Sequence, residues 1–402
     1  LEKNTKFTIM IRNLSIKAFK SVLDQTIELG RVNCFIGANG TGKSNVLEAI
    51  GVLGAAANGV VDDESLLRRG VRAGLPRLYK SSFLEDRTQP HISIEATRHD
   101  GAFYRISLLN PLDAPDPAWT FKTEVLGDGQ HEIASVGLRN QIRLNPRASY
   151  AALKLVELAP SNPAALLMVA LQNYAIYSPN TPTLRGIVPD QQSRLPVGLN
   201  GGQLAEGFGE LLKDFSLTDS EELLDSIYEM IDWVSDIQAT TQAAALLSPK
   251  VPRSTWSLKF TDRYMASSRN ELTAYDASEG ALYVIFTALL CLSRRSPKVI
   301  AIDNLDQALN PRLVSSLIRR LSGWLQFSDP DRQLLFTAHN PAVLDGLDLL
   351  DPEIRLFTVS RNSLGHTTVR RIELDENLTR LNETYPLSRL WMMGNLGAVP
   401  HV

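Results

Sequence analysis

The chain has 402 residues, 44% of them apolar, and 41 Lys and Arg against 44 Asp and Glu give a net charge of −3. A chain of this size buries a large core in one to three domains, and its near-neutral balance excludes a general basic footprint for nucleic acid, so any such contact must be local. No apolar stretch approaches the roughly 20 residues of a membrane helix and the start lacks a secretory layout, so a cytoplasmic location with no membrane partner is expected.

Residues 1–9 read as a short leader ahead of Met10 and are set apart from the fold. Alternating apolar residues predict strands over 10–18, 26–29 and 33–36, then, after a helix, over 91–97, 103–109 and 121–125. Between them stands Gly37, Ala38, Asn39, Gly40, Thr41, Gly42, Lys43, Ser44, which fits G-x-x-x-x-G-K-[ST] at every fixed position. The glycines let successive N–H groups turn inward on a phosphate, Lys43 neutralises its charge, and the Ser44 hydroxyl can ligate Mg²⁺. The following stretch has Val46, Leu47, Ile50 and Leu53 on one helical face, and its N-terminus adds a dipole that favours the anion. These residues predict a bound nucleoside triphosphate. Arg68, Arg69, Arg72, Arg77 and Lys80 form the densest basic cluster and read as a solvated face.

From 134 to 252 helix-like stretches broken by Pro and Gly read as an inserted helical lobe, with helices over 164–173, 205–215 and 221–234. Three units follow: 10–133, 134–252 and 253–402. The last opens on a strand over 256–260 and an apolar helix over 280–292. Strands over 299–302 and 333–337 then flank a helix over 311–325, and a final pair covers 355–359 and 367–372. Strand–helix alternation predicts a parallel sheet covered by helices, and no sustained heptad supports a coiled-coil arm. Cys34 and Cys291 are too few for a disulfide framework or metal site and read as core.

Three constellations complement the loop. Asp303 ends an apolar strand, where its carboxylate can hold Mg²⁺ through water. Ser278, Glu279 and Gly280 open the apolar helix and offer a second phosphate-binding helix tip, expected to serve the triphosphate of another copy. His339 ends a buried strand and can donate to a γ-phosphate oxygen.

Taken in order, these segments resemble the head of ABC-type ATPases of the RecF, SMC and OLD group. The likeness runs from Ile11 through Asn45, just after the loop serine, to Ile50, and includes the signature Ala277–Gly280, the Walker B segment Asp303–Pro311 and the switch-histidine segment Thr337–Pro341. The resemblance implies an ABC-type α/β head: an antiparallel β lobe, a mixed or parallel core sheet flanked by helices, and an inserted helical lobe. It also implies ATP and Mg²⁺ as cofactors, and a head-to-tail dimer in which each ATP lies between one loop and the partner's Ser278–Gly280. Asn304 stands where the group carries the acid that orients the attacking water, which predicts slow hydrolysis; Asp306 is the alternative carboxylate. Tyr283 replaces a basic residue of the signature helix, and Gln89 is a poor candidate for the Mg²⁺-sensing glutamine.

Some sixty residues follow His339, too few for the nuclease domain of full-length OLD-type proteins. With segments such as Tyr177–Gly186 and Leu390–Pro400, the chain resembles compact stand-alone ATPase subunits of bacterial anti-phage systems, and that resemblance implies a separately encoded effector, often a nuclease. A RecF-like repair ATPase acting on DNA is the alternative, and a binding module with purely structural nucleotide is a third.

Overall fold

Three sheets organise the chain, whose computed structural model describes residues 10–84, 89–137, 158–215, 217–251 and 254–396. The leader 1–9, the middle of the expected lobe at 138–157 and its end at Pro252 lie outside the described residues. The first sheet is antiparallel, in the order β2-β1-β4-β5-β6-β7. Its strands are β1 (Asn13–Phe19), β2 (Val22–Glu28), β4 (Ile92–Thr97), β5 (Ala102–Leu109), β6 (Thr120–Asp128) and β7 (Glu132–Gly137). Burial alternates strictly along β4, so one face meets the core and the other meets water.

The central sheet runs β15-β14-β3-β13-β12-β8. It comprises β3 (Val32–Ile36), β8 (Ala175–Tyr177), β12 (Val299–Ile302), β13 (Gln333–Ala338), β14 (Ile354–Arg361) and β15 (Thr367–Ile372). All neighbours pair parallel except β14 with β15. Every residue of β3, β12 and β13 is buried, as expected of strands covered on both faces. The alternation still sorts side chains between two cores. Cys34, Ile300 and Phe336 join one, and Phe35, Ala301 and Leu335 the other.

On the second face α1 (Lys43–Ala57) and α2 (Pro163–Asn173) pack between the central and antiparallel sheets, with Val46, Leu47, Ile50 and Leu53 fully buried as the helical pattern requires. On the first face lie α3 (Leu204–Leu211), α4 (Leu217–Tyr228), α5 (Glu279–Leu292) and α6 (Pro311–Ser328), the last with a strongly one-sided apolar stripe. The third sheet, β11 (Glu271–Thr273), β10 (Ser257–Asp262) and β9 (Val234–Thr240), is antiparallel. The architecture is the expected α/β head with an antiparallel lobe and a mixed core sheet.

Within the stretch expected as the middle lobe, described residues also join sheets. Residues 175–177 form the edge strand of the core sheet, in register with β12 from Ile300↔Ala175 to Ile302↔Tyr177. Tyr174 is fully buried and its hydroxyl donates to the Leu47 carbonyl of α1 at 2.9 Å. The helix expected over 221–234 ends at Tyr228, and Val234 opens β9 against β10. Cys34 and Cys291 are both buried, and burial raises both thiols' pKa, Cys291 to about 12. No helix of the described residues is long and apolar enough to cross a membrane.

Candidate active site

At the C-terminal ends of the central strands a cleft of about 360 Å³ is lined by Asn39, Gly40, Gly42, Lys43, Ser44, Asn45, Arg72, Asp303, Asn304, His339 and Arg361. Most of the residues expected from the motifs meet here. The loop between β3 and α1 is held by backbone geometry that only glycine supplies. Gly42 has φ +105°, and a Cβ there would fall 2.2 Å from Thr367 Oγ1 and 2.8 Å from Ser21 Oγ. At Gly37 a Cβ would lie 2.1 Å from the Val359 carbonyl, because β14 closes on the loop.

A hydrogen-bond chain fixes the loop from beneath. Asn45 Nδ2 donates to Ser21 Oγ at 2.7 Å, Ser21 and Thr367 hydroxyls are 2.7 Å apart, and Thr367 Oγ1 donates to the Thr41 carbonyl at 2.7 Å. These partners come from the β1–β2 turn and β15, so two distant segments converge on one loop.

Lys43 is almost wholly buried and its ammonium donates to the Gly37 and Ala38 carbonyls at 2.7 and 2.8 Å. It also lies 3.3 Å from His339 Nδ1, while His339 Nε2 is 3.0 Å from Asn304 Oδ1. An ammonium can only donate, so Nδ1 accepts and the imidazole proton sits on Nε2, donating to the amide oxygen. Lys43, His339 and Asn304 thus form a line along the cleft. Burial, then the neighbouring Lys43 charge, lowers the His339 pKa and keeps the ring neutral.

Burial also lowers the Lys43 pKa to about 8, against the opposing pull of Asp303 and Asp306. Phosphate binds the protonated ammonium, so this contribution is fully present below that value and is lost as pH rises through it. We expect ATP affinity, measured by titration calorimetry, to fall about ten-fold between pH 7 and pH 9. The Lys43→Arg variant, whose guanidinium does not titrate there, should show no such fall.

Asp303 receives the Ser44 hydroxyl at 3.0 Å on both carboxylate oxygens and the Thr337 hydroxyl at 2.5 Å. A hydroxyl and a carboxylate facing each other beside a helix N-terminus suit Mg²⁺, which takes oxygen ligands and completes its shell with water and phosphate. Among the described residues no group of three or more His, Cys, Asp and Glu could hold a metal ion by itself.

Asp306, expected as the alternative carboxylate, is engaged by backbone donors. Its Oδ2 accepts the backbone N–H groups of His339 and Asn340 at 2.9 and 2.5 Å, and the side chain does not line the cleft. It ties the Walker B turn to the switch-histidine loop. Asn304 does line the cleft, with φ +56°, a left-handed conformation that Asn tolerates. Its N–H donates to Thr337 Oγ1 at 2.8 Å.

The basic cluster is not a uniform solvated face. Arg69 is 3% exposed and donates to the Ser65 and Gln172 carbonyls, while Arg72 lines the cleft. Glu48, buried on α1, holds Arg72 Nε at 2.6 Å and also pairs with Lys20. Gln89 is exposed and does not line the cleft. Sequence reasoning gave no role to Thr337, Ser21, Thr367 or Arg361; the nearest signal was the position of Thr337 two residues before His339, near the end of β13.

Ser278 caps α5 through its hydroxyl, which accepts the Ala281 N–H at 3.4 Å. Ser278 and Glu279 are exposed, Gly280 is half-buried, and none of the three lines the cleft of its own chain. Tyr283 is buried with its hydroxyl donating to the Pro179 carbonyl at 3.1 Å, so it packs inward where the group's basic residue would reach out.

Two family models match. One, described as "AAA ATPase domain", covers residues 10–69 with the phosphate loop. The other, "AAA domain, putative AbiEii toxin, Type IV TA system", covers residues 209–345, which hold Ser278, Asp303 and His339. No curated protein matches the chain significantly. Among solved structures, an SMC head bound to the C-terminal winged-helix domain of ScpA is similar at 15% identity and TM-score 0.53, covering 92% of this chain and 99% of that one. An SMC head with an extended coiled coil, bound to the C-terminal domain of ScpA and derived from Pyrococcus furiosus, is similar at 12% identity and TM-score 0.53, covering 93% and 99%. At those identities the likeness shows the fold. The phosphate loop thus falls inside an AAA ATPase domain model, Asp303, Asn304 and His339 fall inside an AAA domain model, and the chain shares the fold of SMC head domains.

Proposed function

We propose that the chain is a slow ATPase that dimerises head to tail around ATP, and that this closure lets it act as sensor or scaffold for a separately encoded effector in bacterial anti-phage defence. The observation that carries the reading is the Asn304 amide at the end of the Walker B strand, bonded to His339 at 3.0 Å. An amide oxygen cannot take the proton of an attacking water, and loss of a general base commonly slows a reaction about 10²–10⁴-fold. Asp306 is engaged by backbone donors and supplies no substitute. A nucleotide-held state would then outlast that of a fast motor, which suits a switch.

The bound Mg²⁺ would supply charge neutralisation at the β- and γ-phosphates. Ser44 and Asp303 would hold it, Lys43 would turn from the loop carbonyls to phosphate, and the neutral His339 would donate from Nε2 toward the γ-phosphate. Dimerisation is supported by the exposed Ser278–Gly280 helix tip, which has no role in its own cleft. The defence role is supported by the toxin–antitoxin description of the matched 209–345 model.

The test is mass measurement in solution with ATP and Mg²⁺. The wild type should shift to a dimer, whereas Ser278→Arg should stay monomeric and keep its nucleotide affinity. Dimerisation of the variant at the wild-type concentration would remove Ser278 from the contact. Purification with the neighbouring-gene products, with and without ATP, tests the effector.

A further inference from the structure

The motifs account for one wall of the cleft only. Asp303, Asn304 and His339 approach from the C-terminal ends of β12 and β13, on one side of β3. On the other side of β3 lies β14, and its last residue, Arg361, lines the same cleft. The strand order β14-β3-β13-β12 therefore sets Arg361 and the carboxylate–histidine wall on opposite sides of the phosphate loop.

Three cations face the cleft, and they differ in their bonding. Lys43 is engaged by two loop carbonyls and His339, and Arg72 by Glu48. Arg361 is exposed, and its guanidinium has no hydrogen bond or ion pair among the described residues. Its backbone is nonetheless well placed. Arg361 pairs in register with Thr367, the residue whose hydroxyl donates to the Thr41 carbonyl, so the strand end and the loop move as one unit. A guanidinium carried beside an anion-binding turn offers N–H donors that suit a phosphate.

Magnesium and the terminal phosphate belong to the Asp303–His339 wall, so the polyphosphate runs from there across the loop and its nucleoside end falls toward β14. We propose that Arg361 binds the phosphate nearest the nucleoside, and so contributes equally to the affinity for nucleoside di- and triphosphates. This rests on the nucleotide reading of the cleft.

The experiment is calorimetric titration of ATP and of ADP, each with Mg²⁺, into the wild type, Arg361→Ala, Arg361→Lys and His339→Ala, with thermal melts as a folding control. Arg361→Ala should weaken both nucleotides by the same factor, about ten-fold or more, with Arg361→Lys recovering part of the loss. His339→Ala should weaken ATP more than ADP. If Arg361→Ala leaves both affinities unchanged, or weakens ATP alone, the assignment is wrong. If the wild type binds neither nucleotide, the reading of the cleft itself fails, and this inference falls with it.

Discussion

Asn304→Glu is expected to raise steady-state ATP turnover by about 10²-fold or more. The substitution puts a carboxylate one residue after Asp303, where Asn304 already lines the cleft and touches His339. It also carries a structural cost. Residue 304 has φ +56°, and replacing Asn by Glu in the left-handed region costs about 1 kcal/mol. A variant that melts slightly lower yet turns over faster would identify a missing base, because a damaged site loses both. Phosphate-release kinetics with parallel thermal melts measure the two effects. The control is Asp306→Ala, which leaves the His339 and Asn340 N–H groups without their acceptor and should cost about 1–3 kcal/mol of stability. Unchanged turnover in Asn304→Glu, with turnover abolished in Asp306→Ala, would return the base to Asp306.

Lys43→Ala should abolish measurable turnover, a loss of about 10³-fold, by removing the one ammonium that can swing from loop carbonyls to phosphate. The fold should survive. α1 keeps its apolar face, and the Asn45–Ser21–Thr367–Thr41 chain that supports the loop does not involve the lysine. A far-ultraviolet circular dichroism spectrum like that of the wild type, together with lost nucleotide binding, is the expected pair of results. Retained turnover would exclude this cleft as the ATPase site.

The parts of the site that were legible in the sequence are those whose chemistry is contiguous. Gly37 to Ser44 form one turn, Asp303 ends a short apolar strand, and His339 ends another, so each motif carries its own local structure. What could not be read depends on which strand ends the topology brings together. Arg361 reaches the cleft only because β14 lies beside β3, some 300 residues away in sequence. Ser21 and Thr367, which brace the loop at Gly42, are separated by 346 positions. Asp306 looked like a spare acid because spacing does not say what a side chain faces; its partners are backbone N–H groups of another strand's loop. Arg72 hid within a run of arginines because its holder, Glu48, sits on the phosphate-loop helix, 24 positions away.

The fold followed a similar rule. Alternating or mainly apolar strands such as β4, β12 and β13 declared themselves through period and burial. β8 did not, since three residues after a helix carry no periodic signal, and its strand character comes from parallel pairing with β12. β9 lay inside the stretch read as a helical lobe and met the expected 221–234 helix only at Val234; its sparse apolar spacing gave no strand signal, and its pairing with β10 decides the matter.

The central claim is that one nucleotide is enclosed by the loop of one protomer and the Ser278 helix tip of its mate. Mixing two inactive variants tests it most directly. Lys43→Ala lacks a working loop and Ser278→Arg lacks a working helix tip, so each alone should be inactive. A mixed dimer would hold one intact composite site, and the account predicts that turnover reappears on mixing and rises with the fraction of mixed dimer. A mixture as inactive as its components, or Ser278→Arg fully active alone, would contradict it.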